Sequence, residues 1–155
     1  MPRARVAVAT ALLGFIAIWV GYRHIFGNDR LRSLSWVDLT RRVEPLTFAH
    51  GTTRFLPGPK TFALYLRLHG FRGRPPAIDF KRRDVILVAV GPRSTTGYAI
   101  QVVSAIDRRR RVVVTLREHT PSLGDRVQVR TTYPFVLFTI PHSSKPKFLH
   151  VEGRP

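Results

Sequence analysis

A chain of 155 residues is long enough for one modest domain with a core of its own. It holds no cysteine, which excludes disulfides, thiol nucleophiles and Cys-based zinc sites. Its 26 Lys and Arg against 9 Asp and Glu give a net charge of +17, a field that draws anionic surfaces such as acidic lipid, polyanionic cell wall or nucleic acid.

In chain order, residues 6–22, VAVATALLGFIAIWVGY, carry no charge. At ~1.5 Å rise per residue such a helix spans roughly 25 Å, near the lower limit for crossing a bilayer. The run is apolar on every face, unlike a surface helix. Arg3 and Arg5 precede it, Arg23 and His24 close it, and Trp19 and Tyr22 sit at one end, where amphipathic rings favour the headgroup layer. No small-x-small cleavage site follows, because Ile18, Trp19, Tyr22 and His24 are bulky. Residues 1–24 therefore read as an uncleaved signal anchor that crosses the cell membrane once through 6–22. The flanking charges nearly tie, so they do not orient it. Residues 25–35 read as a polar spacer, and 36–155 as the domain.

Within the domain, Trp36–Thr40 and Leu46–Phe48 read as short strands, and PGP at 57–59 breaks the chain. KTFALYLRLHG, 60–70, is ambiguous: alternate Phe62, Leu64, Leu66 and Leu68 fit a strand, while Leu64, Leu68 and Phe71, with Gly70 as a stop, fit a helix. GRPPAIDF, 73–80, is extended by its prolines. VILVAV, 85–90, is an unbroken apolar run, as expected of a central strand covered on both faces. YAIQVVSAI, 98–106, puts Tyr98, Ile100 and Val102 on one face. DRRRR, 107–111, is a turn, and VVVTL, 112–116, the next strand, with Val112, Val114 and Leu116 inward. TPSLGD, 120–125, turns again, and Val127 and Val129 begin another strand. FVLFTI, 135–140, is a second apolar run, and FLHV, 148–151, closes the sheet. Strands at ten- to fifteen-residue spacing predict a mainly β (α+β) fold, an antiparallel β-sandwich or barrel-like domain.

GPRSTTGYAI, 91–100, lacks the Lys-Ser/Thr of a phosphate loop and leads into a strand, so no helix N-terminus faces a ligand. As a bend it uses Pro92 to fix direction and Gly97 for positive φ. The six histidines, at 24, 50, 69, 119, 142 and 150, have no metal-ligand spacing, and Glu118 and His119 would point to opposite faces of a strand. Asp79 and Asp84 can pair in space, but Asp79 suits backbone or Arg hydrogen bonds near the sheet's start. A Ser-His-Asp set from distant parts has no nucleophile elbow to mark it. No catalytic residue, metal or cofactor is expected. KRR (Lys81, Arg82, Arg83) and RRRR (Arg108, Arg109, Arg110, Arg111) lie in turns, where they suit an anionic lipid or cell-wall surface or an acidic partner. No nucleic-acid module accompanies the charge, so nucleic acid is not the expected partner, although a polyanion binder is the alternative that the charge keeps open.

IDF at 78–80, VILVAVG at 85–91, RSTTGYAI at 93–100, EHTP at 118–121 and the T-x-P-F stretch at 132–135 together resemble the C-terminal domain of PrcB-type protease-complex proteins, over about residues 43–152. The resemblance implies a helix over 61–69 and an exported, non-enzymatic accessory domain that binds and stabilises a partner protein, such as a member of a protease complex. It places the domain outside the cytoplasm. This chain departs from the family's namesake in having no lipid-anchor Cys and a far more basic charge. Arg93, Ser94, Thr95, Thr96, Gly97 and Tyr98 are then the candidate partner-binding loop. The TTGY at 95–98 is also similar to a loop of chagasin-type cysteine-protease inhibitors, which implies protease inhibition as a second alternative.

Overall fold

The computed structural model describes residues 31–153, and the expected anchor at 1–24 lies outside them. Among the described residues no helix is long and apolar enough to cross a membrane.

Two four-stranded sheets and a small ribbon make up the domain. The outer sheet runs β1 (Arg32–Ser33), β6 (Ala99–Asp107), β7 (Val112–His119), β10 (Lys147–Glu152). The central sheet runs β2 (Val37–Asp38), β9 (Phe135–Pro141), β4 (Arg83–Ala89), β3 (Thr52–Leu56). β5 (Arg93–Thr95) and β8 (Val129–Thr132) pair with each other as the ribbon. Helix α1 spans Pro59–Leu68, and a 3-10 turn spans Thr40–Arg42.

The period-2 pattern of β4 explains the layering. Ile86, Val88 and Val90 face the outer sheet, where they pack with Val112, Val114, Leu116, Val136, Phe138 and Ile140. Val85, Leu87 and Ala89 face the other way, into a second cluster with Phe62 and Leu66 of α1, Leu46, Phe48, Phe135 and Leu137. A strand covered on both faces needs apolar residues at every position, which is what the runs at 85–90 and 135–140 supply. At about 25 cal/mol per Å², two such strands supply much of the burial energy that holds three layers together.

Helix α1 starts at Gly58 with Pro59 in its first turn, where the missing N–H costs nothing. It ends at Gly70, whose φ of +100° carries the chain out; the Phe71 N–H donates 3.0 Å back to Leu66 O. Its buried side is Phe62 and Leu66, one turn apart, while Leu64 and Leu68 are exposed. The helix is thus present, but the stripe of Leu64 and Leu68 faces outward.

Several expectations need correction. Both sheets are open, each with two edge strands, so no barrel closes. β10 runs parallel to β7, Phe148 opposite Val113, because the segment 142–146 crosses from one sheet to the other. Residues 46–48 form no strand, although Leu46 and Phe48 are buried core residues. Thr52–Leu56 is a strand that its exposed Thr53, Arg54 and Phe55 concealed. In β6 the register slips between Val102 and Ser104, so Val103 is an extra residue and the next core position falls on Ala105 instead of Ser104.

Candidate functional site

The register places the two groups of candidate residues at opposite poles of the sandwich. Ala89 at the end of β4 stands opposite Phe135 at the start of β9, and Ala99 at the start of β6 stands opposite His119 at the end of β7. The loop 91–98 joins these two sheets at that pole. Arg83 stands opposite Pro141, and Asp107 opposite Val112, at the other pole.

At the loop pole, the inward row of β7 ends in a charge. Val112, Val114 and Leu116 lie on the core face, and Glu118 continues the same row with its residue only 6% exposed. A carboxylate there is tolerable only if paired. Arg93 supplies the partner: Nη2 lies 2.5 Å from Glu118 Oε1, and Nη1 donates to the carbonyls of Val90 (3.2 Å) and Pro92 (3.3 Å). The same guanidinium lies 5.6 Å from the centre of the Tyr98 ring. Arg93 is thereby turned inward, pinning both ends of the loop to the outer sheet. Glu118 Oε2 is buried without a hydrogen-bond partner.

The middle of the loop is fixed by the ribbon. The Thr96 N–H donates to Gln128 O (3.0 Å), the Gln128 N–H donates to Thr96 Oγ1 (2.9 Å), and Thr132 Oγ1 donates to Thr95 O (2.8 Å). Gly97 has φ of +95°, and a Cβ there would lie 3.1 Å from Pro121 Cβ and 3.2 Å from Val127 Cγ1. Both facts favour glycine at this position. Of the six candidate loop residues, Ser94 and Gly97 are exposed, while Arg93, Thr95, Thr96 and Tyr98 are half-buried. The strand expected from Val127 and Val129 is the ribbon's other half, β8, which the sequence reading gave no part in the candidate partner-binding loop. There Val129 is 90% exposed, and Leu123 and Val127 are exposed in the approach to it. An apolar residue at that exposure in a well-bonded strand marks a candidate contact point that only the structure reveals.

At the opposite pole the basic turns divide into structural and free cations. Arg83 is structural: its Nε and Nη2 donate to Thr139 Oγ1 at 3.0 and 2.8 Å, and Nη2 also to Thr139 O at 3.0 Å. Arg108 is half-buried, its N–H bonded to Arg111 O at 2.8 Å. Arg82 lies 3.7 Å from Asp79, whose Oδ1 accepts the Lys81 N–H at 3.0 Å. Lys81, Arg109, Arg110 and Arg111 are exposed, Arg111 lying 5.4 Å from the centre of the Phe148 ring.

Between these turns Asp84 gathers donors: His142 Nδ1 at 2.8 Å, the Ser143 N–H at 3.0 Å and Lys147 Nζ at 3.0 Å. Burial pushes the Asp84 carboxyl up, but the bonds from His142, the Ser143 N–H and Lys147 outweigh it and hold the carboxyl below the usual aspartate range. Ser143 meets Asp84 through its backbone, while its Oγ accepts the Lys145 N–H at 3.3 Å. A cavity of about 330 Å³ lies beside this group, lined by Phe55, Pro57, Val85 and Lys145 among others. Asp79 and Asp84 belong to separate hydrogen-bond groups. Among the described residues no three His, Asp or Glu side chains form a group that could hold a metal ion.

The family model described as PrcB C-terminal matches residues 85–141, from the start of the buried β4 run to the end of β9. The matched segment contains the loop, the Arg93–Glu118 pair and both strands of the ribbon. That segment is similar to PrcB C-terminal domains, as the order of its motifs implied. Neither the curated proteins nor the solved structures yielded a match.

Proposed function

We propose that this is a non-enzymatic accessory domain, held to the cell membrane by residues 6–22 and displayed outside the cytoplasm, that binds and stabilises a partner belonging to a protease complex. The observation that carries the reading is the ribbon. Its Val129 stands in solvent on a strand braced by hydrogen bonds and by the Arg93–Glu118 pair. It lies inside the segment that matches the family. A preorganised, partly apolar projection loses little entropy on docking, which favours recognition by a protein. Ser94, Gly97 and Val129 would make the contact, and Arg93, Thr96 and Tyr98 would hold them in place.

The test is co-purification of the tagged full chain from detergent-solubilised membranes. A stoichiometric protease-complex subunit should accompany the native chain and be lost with Val129→Asp at unchanged melting temperature. Equal recovery of that subunit with both chains would contradict the proposal.

A further inference from the structure

Five of the exposed, unpaired cations among the described residues lie at the pole where the chain enters the domain. Arg32, the first residue of β1, stands opposite Asp107 at the end of β6, beside the turn of Arg108–Arg111. The Lys81–Arg83 turn comes to the same pole, because His142 donates its N–H to Arg82 O at 2.8 Å and the segment after His142 bridges the two sheets. Lys147 meets Asp84 at 3.0 Å and Lys145 meets Asp107 at 2.5 Å, tying the sheets together there. These contacts also use up the local acids. Asp79, Asp84 and Asp107 each face a cation of their own. Arg32, Lys81, Arg109, Arg110 and Arg111 remain exposed and form no ion pair to an acid among the described residues.

We infer that this pole is a docking surface for anionic phospholipid headgroups. The inference extends the membrane-anchored reading. Nine residues of sequence separate the end of the apolar run at Tyr22 from the first strand at Arg32, and the cations lie at the pole where Arg32 begins that strand. Phosphate-bearing headgroups match a cluster of arginines, whose planar guanidinium groups bind phosphate oxygens in pairs. Each cation held near an anionic bilayer strengthens attachment about fivefold, so a surface of this size is an effective second contact beside an anchor. The consequence is a fixed polarity, with the basic pole against the bilayer and the ribbon facing away from it.

The absence of cysteine makes the test clean. The full chain carrying Ser144→Cys, at the exposed turn of the basic pole, or Ser94→Cys, on the ribbon, is labelled with an environment-sensitive dye. It is then added to vesicles of phosphatidylcholine with or without phosphatidylglycerol. The dye at position 144 should shift to the blue and be quenched by lipid-borne quencher only with phosphatidylglycerol. The response should vanish in high salt, and Arg109→Gln/Arg110→Gln/Arg111→Gln should weaken it on the order of a hundredfold. The dye at 94 should not respond. An equal signal in both lipids, or a response to oligonucleotide in place of vesicles, overturns the inference. Flotation with phosphatidylcholine vesicles after alkaline carbonate reads the anchor separately. A chain that fails to float has no anchor, and salt-sensitive recruitment to phosphatidylglycerol vesicles then decides the inference alone.

Discussion

Arg93→Met isolates the part played by the ion pair beneath the loop. The change keeps most of the side-chain volume and removes the guanidinium that faces Glu118. The carboxylate, with its residue 6% exposed, is then left without its partner, since Oε2 already has none. Breaking a buried pair costs about 3–5 kcal/mol. The Arg93 side chain is 28% exposed, so water reaches one side of the pair and the lower end, about 3 kcal/mol, applies. For a domain of this size that corresponds to a fall of about 10 °C in melting temperature. Glu118→Leu should cost less, because the leucine continues the row of Val112, Val114 and Leu116 and the guanidinium it leaves can turn to water. The double variant Arg93→Met/Glu118→Leu should recover most of the loss, with a coupling of about 2 kcal/mol in a double-mutant cycle. Thermal melts of the four chains followed by circular dichroism supply the comparison. If Arg93→Met melts within about 1 °C of the native chain, or if the two single losses simply add, the pair does not hold the loop and the reasoning fails.

Other expectations follow from single contacts. Gly97→Ala should destabilise by about 2 kcal/mol in urea denaturation, because the residue holds φ of +95° with Pro121 and Val127 in the path of a Cβ. Thr139→Val, which removes the hydroxyl that accepts two Arg83 bonds, should cost about 1–3 kcal/mol in the same assay. Asp84 is stabilised in its ionised form, so its contribution is complete above the ordinary aspartate value of about 3.9 and is lost as pH falls through the lower folded value. Asp84→Asn should therefore melt lower than the native chain at neutral pH, and the gap should close in acid; a gap independent of pH would show that Asp84 contributes nothing through its charge.

Much of the fold is legible in the sequence, for reasons visible in particular residues. The runs at 85–90 and 135–140 announce a sheet covered on both faces, and β4 and β9 lie side by side in the central sheet. The alternation at 112–116 sets the core face of β7 correctly. In β6 it holds for Ile100 and Val102 and breaks only beyond them, because the bulged residue Val103 shifts the period and a window of alternating residues carries no sign of that shift. It missed β3 because Thr53, Arg54 and Phe55 are all exposed, so no apolar face marked the strand. Helix α1 was ambiguous because four apolar residues at even spacing satisfy both periods; only the layer above the central sheet selects Phe62 and Leu66. At the loop, the positive φ of Gly97 was readable from its setting. The inward turn of Arg93 was not, because it depends on Glu118, 25 residues away in sequence. The convergence of the two basic turns likewise depends on strand register, which no local pattern records.

The most direct measurement places a photo-activatable side chain at Val129, Ser94 or Ser144 in the full chain, expressed in its own membrane. Cross-linking to one protein of a protease complex from positions 129 and 94, and not from 144, is the predicted result. Equal cross-linking of that protein from position 144, or none from 129 and 94, would contradict the assignment of the ribbon as the docking surface.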